Sequence, residues 1–404
     1  MALTVVHIAL TPLAGSPVRI VNALNRYTEV RARLVVLNPY AYGNRTFTGD
    51  LDWSSDKEKA LELLREIDIV HLHHFFELDD NPFGINFNKV CHHARFVRQF
   101  HTHPVTIARG DQGRAREIVN SAIPQLVIGQ YHERFYPRAR VVPNIVPLSH
   151  DLYRPITRTE SNPVIFYAPT FDHSAWQVPN DSTRWDTKGA PETEFLLHRV
   201  VAESGNGRVV VRRNLPHDEC LREKQASDIA VDEMVTGSYH GTGLEALAQG
   251  LPTFAHLDSR TLNTLAEVTG TSCHPWLNFR LEEAEKPLRE LIQDAGLRRE
   301  LGAYARVWME KYYNDSDMVL HYLRAYEDLT REPDKFKNFR FDPNSRRAMW
   351  FIQQQDDMVW ECRRAQVAGR LGTEHSLTPT SHANKDRKSN GIVHWIRLIL
   401  NSSR

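Results

Sequence analysis

Residues 226–254 read Ala226-Ser-Asp-Ile-Ala-Val-Asp-Glu-Met-Val-Thr-Gly-Ser-Tyr-His-Gly-Thr-Gly-Leu-Glu-Ala-Leu-Ala-Gln-Gly-Leu-Pro-Thr-Phe254. The apolar run at 228–231 predicts a short buried strand, the glycine-bearing stretch 237–243 a loop, and the pattern from Leu244 onward a helix that leads into another strand at 252–255. Such a strand–loop–helix turn points backbone N–H groups and the positive end of the helix at the space above the sheet, an arrangement suited to a diphosphate. Gly237, Tyr239, His240, Gly241, Thr242, Gly243 and Leu244 are therefore candidate contacts of a phosphorylated ligand. Glu245 opens the helix, where an ionised carboxylate is able to accept hydrogen bonds from a ribose diol. The same glutamate has a plainer reading, as a first-turn acid that complements the helix dipole.

Outward from this stretch the same alternation continues in both directions. The second half reads as strand 163–168, helix 191–203, strand 208–211, helix 217–226, then the quoted segment, and helices throughout 281–329. The first half reads as strand 3–10, a turn through Pro12, Gly15, Ser16 and Pro17, a helix over 18–24, strand 32–37, helix 58–67, and strands at 69–72, 96–101 and 126–128. Strands alternating with helices imply parallel sheets covered on both faces. The prolines at 143, 147 and 155 mark a junction, so the expected organisation is an α/β chain with domains 1–150 and 151–330 and an appendage 331–404.

Composition narrows the classes. The chain has 404 residues, 41% hydrophobic and 25% charged, a soluble globular balance. Fifty Lys plus Arg against fifty Asp plus Glu leave no global positive field for nucleic acid or an anionic membrane, so any such contact must come from a patch. Cys91, Cys220, Cys273 and Cys362 show neither disulfide-framework nor thiolate-zinc spacing, and the apolar opening lacks a basic flank, which leads to the expectation of a cytoplasmic protein whose first residues form a strand.

With these residues in view, the sequence resembles the nucleotide-sugar glycosyltransferases of the two-Rossmann-domain (GT-B) fold, and within them the retaining family numbered four. The likeness rests on Glu245-Ala-Leu-Ala-Gln-Gly-Leu-Pro252, on Val141-Val-Pro-Asn-Ile-Val-Pro147 as the interdomain junction, on Phe166-Tyr-Ala-Pro-Thr170 with Lys188-Gly189, and on closing helices across 297–326, and it spans about residues 3 to 329. It implies an acceptor-binding first domain, a donor-binding second domain facing it across a cleft, retention of anomeric configuration, and no metal or other cofactor besides the nucleotide-sugar co-substrate. In one respect the chain departs from the pattern: many members carry a glutamate eight positions before the helix glutamate, and here that position is Gly237. Loop amides, Asp232 or Glu233 are then the groups left to hold the donor sugar.

The remaining candidates follow from the chemistry of a leaving diphosphate. Lys188, with Arg184 and then Arg212 or Arg213 behind it, is the expected cation, and Thr170 lies on the same side of the site. Gly15 is expected to let the backbone approach phosphate or acceptor closely. His103, with His101 as its substitute, is the expected histidine beside the donor sugar. The twenty histidines, His71 and His73 among them, raise a zinc alternative, set aside because no carboxylate or thiolate completes a recognisable spacing. The expected partners are a nucleotide-sugar and a glycan, lipid-linked or other hydroxyl acceptor. Arg340, Arg346, Arg347, Arg363, Arg364 and Arg370, with Trp350 and Trp360, suggest a nucleic-acid acceptor as the alternative. Residues 392–400 suggest a short amphipathic helix able to lie on a membrane, and 373–391 a flexible tail. Two further alternatives are a nucleotide-sugar epimerase, whose acidic cluster is not recognisable, and a degenerate transferase acting as a binding subunit.

Overall fold

The computed structural model describes residues 2–333, apart from residues 45, 159–161, 175–176 and 178–183. The appendage beyond residue 333, its arginines and the 392–400 segment fall outside the described residues.

Seven parallel strands form the first sheet: β1 (Thr4–Ala9), β2 (Arg31–Val36), β3 (Leu51–Asp52), β4 (Ile69–His73), β5 (Arg95–Phe100), β6 (Gln125–Ile128) and β7 (Arg140–Val142), in the order β3-β2-β1-β4-β5-β6-β7. Five make the second: β8 (Val164–Tyr167), β9 (Arg208–Val211), β10 (Ile229–Val231), β11 (Thr253–Ala255) and β12 (Leu277–Asn278), in the order β12-β11-β10-β8-β9 and again parallel throughout. The strands at the centres of the sheets are buried along almost their whole length, which is why they read as unbroken apolar runs rather than alternating ones. Helix Ser16–Tyr27 illustrates the cover: Ile20, Val21 and Leu24 face the sheet, each stabilising the fold by about 1.5–3 kcal/mol through burial.

Three short strands escape the sequence reading. β3 and β12 have two residues each, and β7 lies inside the segment expected to be a junction. Strand β5 ends at Phe100, leaving His101 just beyond it. The helix after the glycine loop starts at Gly241, three residues before the expected Leu244, so Gly241 and Gly243 belong to its first turn. Gly243 has a physical reason to be glycine there, because a Cβ would run into the Asp232 carboxylate.

The largest apolar core is shared by both sheets, from Val5, Leu34 and Ile69 through Val142, Ile145 and Tyr153 to Leu244, Trp276, Trp308 and Tyr322. Helix Leu320–Arg331 crosses back to the first sheet: Tyr322 Oη donates to the Pro143 carbonyl at 2.9 Å, and Arg140 pairs with Asp328 at 2.8 Å. A buried bidentate pair between Glu133 and Arg260, at 2.8 and 3.2 Å, ties the β6–β7 connection to helix Ser259–Thr269. Among the described residues, no helix is long and apolar enough to cross a membrane.

Candidate functional site

The glycine loop and helix Gly241–Ala248 sit at the C-terminal edge of β10, the side of an open parallel sheet on which ligands bind. His240 is the extended residue that opens this helix, and its backbone N–H is anchored by Asp232 Oδ2 at 2.6 Å. Asp232, just after β10, thus ties the residue that precedes the helix, while no side chain caps the first helical amides. Gly237, at φ +90, turns the loop, and its carbonyl accepts from Thr261 Oγ1 at 2.8 Å and from the Asp258 amide at 3.0 Å.

Glu245 is the electrostatic hub. Its Oε2 accepts from Lys224 Nζ at 2.6 Å, its Oε1 lies 2.7 Å from His217 Nε2, and Arg19 Nη1 reaches it from helix Ser16–Tyr27 of the first sheet's half at 3.5 Å. Burial alone would push its carboxyl up, but Lys224, His217 and Arg19 hold it well below the ordinary range, so it is ionised. Lys188 is also buried. Its Nζ donates to the Ala168 carbonyl at 2.9 Å and lies 3.9 Å from Asp232. Burial lowers its pKa against the pull of Asp232. Lys188 closes the single turn Trp185–Thr187 in the left-handed region at φ 52, and its carbonyl accepts from Tyr167 Oη at 2.9 Å. Cations from both halves, Arg19 on one side and Lys188 and Lys224 on the other, thus converge around the helix that carries Glu245.

Several expected residues are placed otherwise. Tyr239 turns into the core, ring against Trp276 and hydroxyl donating to the Gly129 carbonyl at 2.9 Å. Glu233 accepts from its own loop, from the amides of Val235 and Thr236 at 2.5 and 2.6 Å and from Thr236 Oγ1 at 2.8 Å. Arg212 pairs with Glu223 at 2.6 Å and Arg213 with Asp172 and Glu194, so both are bound within the second half's surface. Arg184 precedes the single turn Trp185–Thr187, and Thr170 is exposed after β8. Gly15 lies against the Phe47 ring, which fills the position of a Cβ, and Phe47 in turn packs on His217 with ring centres 4.8 Å apart.

The two candidate histidines divide. His103 Nδ1 accepts from the Val105 amide at 3.1 Å, opening the short helix Pro104–Ile107, and its ring meets Phe135. His101 ends a chain of imidazoles. Its Nε2 lies 3.0 Å from His73 Nδ1, His73 Nε2 lies 2.9 Å from His7 Nδ1, and His7 Nε2 lies 3.2 Å from Tyr326 Oη, which also contacts His71 Nδ1 at 2.7 Å. Nitrogens of His7, His71 and His73 fall within 4.8 Å of one another, yet the rings of His71 and His73 stack at 14°, an arrangement that aims their lone pairs side by side rather than at one point. Burial holds His7 at about 3 and pushes His71, His73 and His101 well down, so the chain is neutral. His7 was not anticipated; the available signal was a histidine inside an apolar strand, in register with His71.

The sequence gives no sign of the roles of Trp185, His132 and Arg19, the last reaching Glu245 from helix Ser16–Tyr27. The Trp185 ring lies flat on His240, with centres 3.7 Å apart at 9°, and edge-on to His132 at 4.7 Å, so the top of the glycine-loop helix is covered by an aromatic stack drawn from both halves.

No family model matches the chain, and no curated protein does. Solved structures do. An alpha-glucosyltransferase in complex with UDP and a 13-mer DNA containing an HMU base is 13% identical at a TM-score of 0.55, over 81% of this chain and all (100%) of that one. Anabaena HepE in complex with UDP and glucose is 14% identical at 0.52, over 81% and 100%. A glycosyltransferase from Rickettsia africae is 11% identical at 0.51, over 82% and 99%. Two parallel sheets covered by helices, matched over four fifths of the chain by these structures, establish the GT-B fold for this chain.

Proposed function

We propose that the chain is a glycosyltransferase that moves a sugar from a nucleotide-sugar to an acceptor hydroxyl. The observation that carries this reading is Glu245, ionised and buried one turn into the glycine-loop helix, beyond the first turn where the sequence put it, with Arg19, Lys188 and Lys224 around it. A carboxylate oxygen has two lone-pair sites, so Oε2, met by Lys224, keeps capacity for a ribose hydroxyl, while Oε1 is met by His217 and Arg19. The helix N-terminus and Lys188 would stabilise the charge that develops on the leaving diphosphate, which lowers the barrier only because that charge grows in the transition state. The reading includes retention and family 4 membership as the resemblance implies, with the departing phosphate oxygen taking the acceptor proton and with no metal required. In this reading the first sheet's half faces the sugar and acceptor, with His103, or His101 in its place, as the histidine beside the sugar.

Turnover of a panel of nucleotide-sugars, read as released nucleoside diphosphate, tests it. One donor is expected to be cleaved, slowly in water and faster with acceptor, and Lys188→Ala and Glu245→Ala are expected to abolish cleavage. Cleavage of no donor, or turnover by both variants equal to that of the natural chain, overturns it. An alternative acceptor, nucleic acid, is favoured by the arginines from Arg340 to Arg370. It requires binding to duplex or single-stranded DNA that falls steeply between about 50 and 200 mM salt.

A further inference from the structure

The roof over the glycine-loop helix leaves polar groups unsatisfied. His132, Trp185 and Asp232 are 1%, 7% and 1% exposed, and His132 Nδ1, Trp185 Nε1 and Asp232 Oδ1 have no hydrogen-bond partner among the described residues. Asp232 Oδ1 lies 3.3 Å from His240 Nδ1 and 3.9 Å from Lys188 Nζ, longer than a well-made charged hydrogen bond. A buried polar atom without a partner is unfavourable, so an indole nitrogen with an imidazole nitrogen and a carboxylate oxygen near it make a costly arrangement unless a polar ligand takes the space. The indole lies flat on the ring of His240, the residue that opens the helix, and so occupies the space beside the helix N-terminus.

The surrounding charge selects the ligand. Burial and neighbouring positive groups hold His132 well below its ordinary value, so its imidazole is neutral. Burial raises Asp232, but His240 and Lys188 pull it below the ordinary carboxylate range, so it is ionised. A sugar hydroxyl donates to Asp232 Oδ1 and exchanges hydrogen bonds with His132, and the C–H face of the ring lies on an indole. A sugar carboxylate at the same place would meet an ionised aspartate in a water-poor setting.

We propose that Trp185 occupies, in this structure, the seat of the donor's sugar ring, that it swings off His240 when donor binds, and that His132, Trp185 and Asp232 then grip an uncharged sugar. This rests on the nucleotide-sugar reading above and extends it to the class of sugar.

The test titrates the natural chain, Trp185→Phe and His132→Ala with UDP-glucose, GDP-mannose, UDP-glucuronate, UDP and GDP, following tryptophan emission and heat of binding together. An uncharged donor is expected to shift the emission of the natural chain, and the shift is expected to vanish in Trp185→Phe although its binding heat remains. His132→Ala is expected to weaken that nucleotide-sugar by about tenfold while leaving the bare nucleoside diphosphate unchanged, the signature of a sugar contact as opposed to a general loss of structure. A shift that survives in Trp185→Phe, equal weakening of sugar-bearing and bare nucleotide, or uronate binding as tight as hexose overturns the proposal. Absence of binding by every probe to the natural chain overturns the nucleotide-sugar reading itself, and the proposal with it.

Discussion

Replacing Glu245 by glutamine keeps the shape of the side chain and removes its charge. In the natural chain its oxygens meet Lys224 at 2.6 Å, His217 at 2.7 Å and Arg19 at 3.5 Å, with Lys224 buried beside it. The amide retains one acceptor but turns an N–H group toward a cation, so the buried Lys224 ammonium is left without a counter-charge. Breaking a buried pair from one side costs about 3–5 kcal/mol, and denaturant unfolding of Glu245→Gln should show a loss of that size. A ribose hydroxyl that donates to a carboxylate contributes about 1.5–3 kcal/mol, so donor affinity should fall roughly 10- to 150-fold in a calorimetric titration. Adding Lys224→Met separates the two effects. The double variant should regain part of the stability, since the orphaned charge is gone, and none of the donor affinity. A Glu245→Gln protein that unfolds at the natural denaturant concentration and binds donor normally would refute this account of the hub.

Other expectations are briefer. Gly243→Ala pushes a methyl into the Asp232 carboxylate, which should cost about 1–3 kcal/mol in thermal unfolding and abolish donor cleavage, whereas Gly241→Ala, with open space around it, should fold normally. Glu133→Gln breaks the buried bidentate contact to Arg260 and should destabilise by about 3–5 kcal/mol, with Arg260→Met in the same chain restoring much of it; additive losses would contradict the pairing. The buried histidines predict acid lability. Burial holds His7 at about 3 and His74, His240 and His274 at about 4, below their ordinary 6.5. Folded values below unfolded ones mean that the unfolded chain binds more protons, so this stability is present above pH 6.5 and is lost as pH falls toward 4. Between pH 6.5 and 5.5 these four groups together should remove on the order of 4 kcal/mol, and equal urea midpoints at pH 7.5 and 5.5 would contradict it.

Much of the architecture was legible in the sequence because central parallel strands are apolar on both faces and glycine marks the phosphate-type turn. β3 and β12 were not, since two-residue strands carry no period. The helix start was read late because its N-terminal anchor is Asp232, eight residues back from His240 and outside any local capping pattern. Glu245 and Lys188 were readable as chemistry. Their partners were not: Arg19 and Glu245 are brought together by the docking of two sheets, and His7 meets His73 through strand register 66 residues apart in sequence. Tyr239 was misjudged for a related reason, since a loop tyrosine shows nothing in sequence of the Gly129 carbonyl that draws it inward.

Backbone hydrogen exchange with and without the donor that the turnover panel identifies tests the central claim most directly. The account predicts that slowing concentrates in the amides of Gly237–Glu245 and in the turn at Trp185–Gly189, the surfaces a diphosphate and its sugar would cover. Protection confined to other parts of the chain, with these amides exchanging as before, would contradict it.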